Sequence, residues 1–332
     1  MRKIDFEGHV LSQDVLDLLS ARTGVPRYDT ASHLLYHTAE FSVNIDRFGP
    51  EGKFFKDAGD QRISVMDQNG VDIQIIGMGD GLCGLPAEEG MPLTKTINEV
   101  KFDFIQKHPD RFLGYVDLNP HDVNAACREM ERCAKEFGFV AWQTMSNFGS
   151  CYLDDDKFFP LLQTAAELGL PVYIHPDAPF EGRMTGLGQQ LAGAGAGFGN
   201  DVIATLLRLL FKGVLDRLPD LVLITGHLGE GLPFTFDRIV NKCSRPAGAP
   251  AASKRPLAEY FENIYYSTSG VFSVPAFDCT KRVMGMDHIV FGSDYPFEPL
   301  EKTVAWHNSL SLTEAERTAL YEGNAKRILR GI

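Results

Sequence analysis

Eight short apolar runs recur along this chain, and each gap between them leaves room for about one helix. They span 3–9, 71–78, 112–117, 139–143, 172–175, 221–225, 264–267 and 288–292. None shows the clean polar alternation of a half-exposed strand, so each reads as a strand buried on both faces of a parallel sheet. Between them the spacing predicts helices over 12–19, 62–69, 94–108, 121–136, 155–168, 200–215, 233–242 and 274–284. Ser12 can cap the first, and Gly70, Gly138 and Gly169 follow three others. Further helices are expected over 300–310, 313–321 and 324–329. Eight β/α units in 332 residues match a (β/α)8 TIM barrel in number and size. A doubly wound sheet is the alternative, but no glycine-rich dinucleotide fingerprint follows the first strand.

Two stretches interrupt the period. Residues 21–60 are broken by Gly24, Pro26, Gly49-Pro50 and Gly59, and they follow the first strand directly. A long irregular insertion at that point is expected to act as a lid over the strand ends. The run 186–199 contains Ala192-Gly-Ala-Gly-Ala-Gly197 without the Lys-Ser/Thr of a phosphate loop, and reads as a flexible loop. No domain boundary is evident, so 1–332 is expected to form one domain.

The net charge of −12 supplies no basic stripe for a nucleic acid. No apolar run approaches the ~20 residues that span a bilayer, and no apolar leader opens the chain. Six scattered cysteines without a C-x-x-C pair fit a reducing compartment, and the cytoplasm is the expected location.

A barrel gathers the C-terminal ends of its strands at one face, where titratable groups become candidates for chemistry. Strand one ends Glu7-Gly8-His9, and alternation points Glu7 and His9 the same way. Strand five ends in His175, strand six in His227, and strand eight runs into Asp294. A lone histidine at a strand end is more often a hydrogen-bonding residue than a ligand. Four acid or imidazole groups ending three strands of one barrel are less easily dismissed. Glu7, His9, His175 and Asp294 can form an N2O2 shell that suits Zn²⁺, and Mn²⁺ or Fe²⁺ less exclusively. His33, His37, His108, His121, His288 and His307 do not end strands and read as surface or loop histidines.

These residues resemble a family. Glu7-x-His9, Tyr173-Ile-His-Pro176, Gly226-His-Leu-Gly-Glu-Gly-Leu-Pro233, Tyr266-Ser-Thr-Ser-Gly270 and Gly292-Ser-Asp-Tyr-Pro-Phe297 are similar to motifs of the amidohydrolase superfamily. Within it the chain resembles the metal-dependent non-oxidative decarboxylases of γ-resorcylate, 5-carboxyvanillate and 2-amino-3-carboxymuconate-6-semialdehyde. The resemblance implies a distorted (β/α)8 barrel with one divalent metal on Glu7, His9, His175 and Asp294. It makes His227 and Glu230 a supporting or catalytic pair, and Arg238, Phe297 and Asn147 substrate contacts. In the family such an arginine can act across a subunit boundary, so a homodimer or homotetramer is expected. Two departures stand out. Resorcylate-type members carry Glu-Glu-His-Phe where this chain has Glu7-Gly8-His9-Val10, and the strand ending 141–145 lacks the lysine of two-metal members.

The implied reaction is loss of CO₂ from a hydroxybenzoate or related unsaturated acid. It needs a proton at the carbon bearing the carboxylate. Asp294 is the expected donor, with His227 and Glu230 orienting it or replacing its proton. The alternative is a metal-dependent hydrolase or hydratase acting on a lactone or unsaturated acid of aromatic catabolism, in which Asp294 takes a proton from water.

Overall fold

Eight parallel strands run side by side in sequence order around a nearly closed barrel: β1 Ile4–His9, then β5 Ile73–Gly77, β6 Phe112–Val116, β7 Ala141–Met145, β8 Val172–His175, β9 Leu223–Thr225, β10 Ile264–Ser267 and β11 Ile289–Val290. Between β1 and β5 lie three short strands, β2 Arg27–Asp29, β3 Leu34–Tyr36 and β4 Ser42–Asn44. The computed structural model describes residues 1–38, 41–57, 59–78, 82–177, 189–243 and 254–332. The segment after β11 completes the circle. Phe6 N–H donates to the Phe291 carbonyl (2.9 Å), His9 N–H to that of Tyr295 (2.7 Å), and Asp294 N–H to that of Glu7 (2.9 Å).

The strands are buried on both faces, as their unbroken apolar runs require. Ile4, Phe6, Ile75, Tyr115, Ala141, Tyr173, Ile224 and Val290 fill the interior, joined by Ala325, Ile328 and Leu329 of the closing segment. The outward residues pack under the ring of helices, where Trp142, Phe158, Leu209 and Phe277 are among the fully buried side chains. Helix Gln13–Ser20 begins where expected, with Ser12 Oγ accepting the Val15 N–H. Helix Asp60–Asn69 stops at Gly70, whose φ of 62° only glycine adopts without strain.

Four expectations change. The insertion is not structureless: β2, β3 and β4 form an antiparallel sheet, with Arg27 stacked 4.0 Å from the centre of the Tyr36 ring. Strands of three residues are too short to show alternation between glycine and proline breaks. The helix expected from 94 starts at Ala87 and runs through Pro92 to Lys107. The strand expected over 139–143 lies two residues later, at Ala141–Met145. The glycine-rich run is largely helical where it is described, broken at Gly193 and Ala196; residues 186–188 lie outside the described residues. A wide turn at Leu191–Gly195 leads into helix Gly197–Phe211. At Gly197 a Cβ would stand 1.8 Å from the Ala192 carbonyl oxygen, so the small residues serve a tight helical entry.

Candidate active site

β1 does not pair evenly with β5. Ile4 and Asp5 stand opposite Ile73 and Gln74, but Gly8 and His9 stand opposite Ile76 and Gly77. One extra residue is therefore bulged into β1, and such bulges re-aim side chains next to active sites. Glu7 and His9 point into the barrel mouth, as expected. Asp5 and Gly8 face the layer behind it.

Glu7, His9 and His175 come together there. Their candidate donor atoms all lie within 4.8 Å of one another. Glu7 Oε2 accepts the hydroxyl of Tyr173. Glu7 Oε1 is buried and accepts no hydrogen bond; it faces Nε2 of His9 at 3.8 Å and Nε2 of His175 at 3.7 Å. Donors around a tetrahedral Zn²⁺ sit roughly 3.3 Å apart, given metal–nitrogen bonds of about 2.0–2.1 Å. A buried carboxylate oxygen aimed at two imidazole nitrogens at nearly this spacing fits a divalent cation. Burial alone would raise the Glu7 pKa. The His9 imidazole beside it and the charges of His227 and His175 reverse that and hold it well below the usual carboxylate range.

Asp294 stands at the edge of this set, outside the group whose donors lie within 4.8 Å. Its Oδ1 is 3.2 Å from His9 Nε2, and its side chain is 17% exposed where Glu7 and His9 are closed off. Across from it, His227 Nδ1 pairs with Glu230 Oε1. Burial would lower the His227 pKa, but the charge and hydrogen bond of Glu230, with Glu7 and Asp294 behind, raise it to about 10. The three carboxylates around it thus favour the protonated imidazole. His227, Leu228, Glu230 and Asp294 all have positive φ, of 52°, 56°, 57° and 64°. Such conformations persist where the surroundings enforce them, and they concentrate at functional sites. Gly270 leaves the space between the two walls. A Cβ there would lie 2.8 Å from His227 Cδ2 and 3.3 Å from both His227 Nε2 and Asp294 Oδ2.

A cavity of about 660 Å³ opens over His175, His227 and Asp294. The insertion forms one side of it through His37, Phe41 and Arg47, so His37, a loop histidine as expected, lines the cavity. Phe297 stands edge-on to His9 at 5.1 Å and packs against Phe48 and Phe55 of the insertion. Two expected substrate residues are placed elsewhere in this chain. Arg238 is exposed on helix Leu232–Cys243 and does not line the cavity. Asn147 is buried, and its amide donates to Asp201 at 2.7 Å beside Ser146 Oγ at 2.5 Å and the Tyr152 hydroxyl at 2.8 Å. His307, expected at the surface, is fully buried. Arg47, Asp5 and Gly270 were not legible as site residues. Only Asp5 carried a signal, since it shares the first strand with Glu7 and His9.

A parallel barrel whose strand ends gather two histidines, two carboxylates and a histidine–carboxylate pair offers a candidate metal site of the kind found in amidohydrolase-type enzymes. The sequence model for the Amidohydrolase family matches residues 48–331, and the chain belongs to that family. It falls in the branch of the non-oxidative decarboxylases. The chain is 31% identical over 287 residues to γ-resorcylate decarboxylase from Polaromonas sp. (strain JS666 / ATCC BAA-500), covering 82% of this chain and 88% of that one. Its fold is similar to the crystal structure of 5-carboxyvanillate decarboxylase from Sphingomonas paucimobilis, with a TM-score of 0.85, 28% identity and 99% of each chain covered. It is also similar to a dihydroxybenzoic acid decarboxylase from Polaromonas sp. JS666 with bound manganese and the inhibitor 2-nitroresorcinol. There the TM-score is 0.83 at 28% identity, over 98% of this chain and 96% of that one.

Proposed function

We propose that this chain removes CO₂ from a hydroxybenzoate or related unsaturated carboxylic acid, without oxidation, at one divalent metal held by Glu7, His9, His175 and Asp294. The observation that carries this reading is Glu7 Oε1, buried without a donor and facing two imidazole nitrogens on the floor of the cavity. Two imidazoles and two carboxylates favour Zn²⁺, with Mn²⁺ the alternative supported by the manganese in the relative from Polaromonas. When bound, the cation would fix the substrate's carboxylate and neighbouring oxygen and draw charge onto them.

The protein's own groups then handle the ring and the proton. Phe297 gives the ring an apolar edge beside His9. Asp294 delivers a proton to the carbon that bears the carboxylate. The carbon–carbon bonding pair returns to the ring as CO₂ departs, and aromaticity is restored. His227, kept cationic by Glu230, orients Asp294 and returns a proton to it. Arg47, at the rim, is suited to an anionic substituent. Asn147 acts through Asp201 behind the site.

Arg238 serves a neighbouring copy of the chain in a homodimer or homotetramer. Phe234, 86% exposed and one helical turn earlier, lies on the same face and supplies an apolar contact. The residues 1–332 act as one domain, and the insertion over 21–60 contributes His37, Phe41, Val43 and Arg47 to one side of the cavity. None of the six cysteines forms a disulfide, in keeping with a cytoplasmic location. Among the described residues no helix is long and apolar enough to cross a membrane.

Purified protein loaded with Zn²⁺ or Mn²⁺ is offered a panel of hydroxybenzoates and unsaturated dicarboxylates. The expected result is loss of substrate absorbance with one CO₂ released per substrate consumed. Water addition without CO₂ would replace this reading with a hydratase. Full turnover in a rigorously metal-free preparation would remove the cation from it.

A further inference from the structure

The bulge in β1 leaves the Glu7 amide without a ladder partner, and the carboxylate of Asp5 takes it, Oδ1 accepting the Glu7 N–H at 3.0 Å. The same oxygen accepts the Ser293 N–H at 2.8 Å. Oδ2 accepts the Ser293 hydroxyl at 2.5 Å and Gln74 Nε2 at 2.7 Å. Gln74 Oε1 in turn accepts Arg62 Nη1 at 2.7 Å. Arg62 Nη2 donates to the His9 carbonyl at 2.7 Å, and Nε to the Asp57 carbonyl at 2.6 Å. Asp5, Gln74, Ser293 and Arg62 are all at most 1% exposed.

The chain of bonds has one direction. Arg62 can only donate and the Asp5 carboxylate can only accept, so the amide of Gln74 has one orientation that satisfies both. Turning it over would set its NH₂ group against the guanidinium and its oxygen against the carboxylate. Gly8 belongs to the same arrangement. A Cβ at that position would lie 2.4 Å from Gln74 Cδ, so the side chain of Gln74 runs through the space a larger residue would fill. The departure from Glu-Glu-His therefore lies behind the strand, not in the cavity.

We infer that Asp5, Gln74 and Arg62 are positioning residues that hold the backbones of Glu7, His9 and Ser293-Asp294 at the separation a cation needs. The inference rests on the proposed metal site. A buried charge pair joined through one amide is costly unless every member is satisfied, and here Asp5 ends on the backbone N–H groups of Glu7 and Ser293 and Arg62 on the His9 carbonyl, each at or beside a proposed ligand. Support of this kind behind metal ligands typically sets affinity by 10–100-fold.

The test is a competition titration of Zn²⁺ against a chromophoric chelator, with the visible spectrum of the Co²⁺-loaded protein and a urea melt alongside. Asp5→Asn is expected to weaken Zn²⁺ binding on the order of 10-fold or more and to alter the Co²⁺ bands. Its amide nitrogen would oppose that of Gln74. Adding Gln74→Glu reverses the polarity of the link while keeping its atoms and net charge, since Asn at 5 can donate to Glu at 74 and still accept the two backbone N–H groups. The double variant is expected to recover affinity to within about threefold. Asp5→Asn with a lowered melt but wild-type Zn²⁺ affinity would make the chain purely structural and overturn the inference. So would a double variant as impaired as the single one. Wild-type protein that binds no Zn²⁺ would instead sink the metal site itself, and the inference with it.

Discussion

The two walls of the barrel mouth are built differently. On one, His175 ends a regular strand, while Glu7 lies in the bulge of β1 and His9 closes that strand; Glu7 and His9 are buried. On the other, His227, Glu230 and Asp294 sit on turns with positive φ, and their side chains are 12–19% exposed. Strand ends are held by the hydrogen-bond ladder, and Glu7 at the bulge by the Asp5 carboxylate, so they can fix donors at set distances. Turns held in strained conformations can place a titrating group over a cavity while leaving it open to substrate. On the proposed function, the first wall is the one to hold the cation and the second the one to move the proton. Asp294, 3.2 Å from His9, belongs to both.

The largest effect that can break this division comes from the first wall. Glu7→Gln removes the charge that opposes the cation. It is expected to abolish stoichiometric metal binding and to lower kcat/KM by roughly 10³-fold or more, the several kcal/mol a Lewis acid contributes. Metal analysis after gel filtration and steady-state rates measure both. Metal retained in full would assign Glu7 to the other wall. Next comes His227→Asn, expected to keep the metal and lose roughly 10²–10⁴-fold in kcat. Loss of metal along with activity would erase the distinction between the walls.

Gly270→Ala probes the gap between them. The new methyl group would press on His227 Cδ2 at 2.8 Å, and the backbone φ of 63° disfavours any side chain. A loss of about 1 kcal/mol in stability is expected, with kcat lowered on the order of 10-fold at unchanged metal content. A melt and a metal assay separate the two. Wild-type kcat would mean that the space at Gly270 is not used in the reaction.

Much of the first wall and part of the second are legible in the order of the residues alone. An apolar run that ends abruptly in a histidine or carboxylate is a local pattern, and it locates Glu7, His9, His175, His227 and Asp294. The alternation of strands and helices carries the barrel, because each strand is buried on both faces and its composition says so. What stays hidden depends on distance in space. The β1 bulge is visible only in the register with β5. Arg47 reaches the cavity through a three-stranded sheet whose strands are too short to announce themselves. Two histidines show the limit best. His307 donates Nδ1–H to the Thr303 carbonyl at 2.7 Å, with Nε2 2.8 Å from Thr268 Oγ1, and burial lowers its pKa to about 4. His227 is half-buried at the cavity, and Glu230 drives it the other way, to about 10. Nothing near either residue in the chain separates a neutral structural imidazole from a cationic one, except the carboxylate three positions after His227.

That carboxylate gives the smallest and sharpest test. His227 has a folded pKa raised above 6.5, so its pairing with Glu230 contributes stability that is fully present below pH 6.5 and is lost as pH rises through about 10. Glu230→Gln keeps a hydrogen-bond acceptor for Nδ1 but removes the main charge that raises the pKa. The imidazolium should then lose its proton at lower pH, and the alkaline limb of the kcat/KM profile should move down by roughly 1–2 pH units. Near pH 6 the variant should keep most of its activity, because His227 is still protonated there, while at pH 9 it should fall behind the wild type. The metal content should not change at either pH. An alkaline limb that stays in place would mean that the proton on His227 is not the one the reaction uses, and the turn wall would then hold substrate without moving protons.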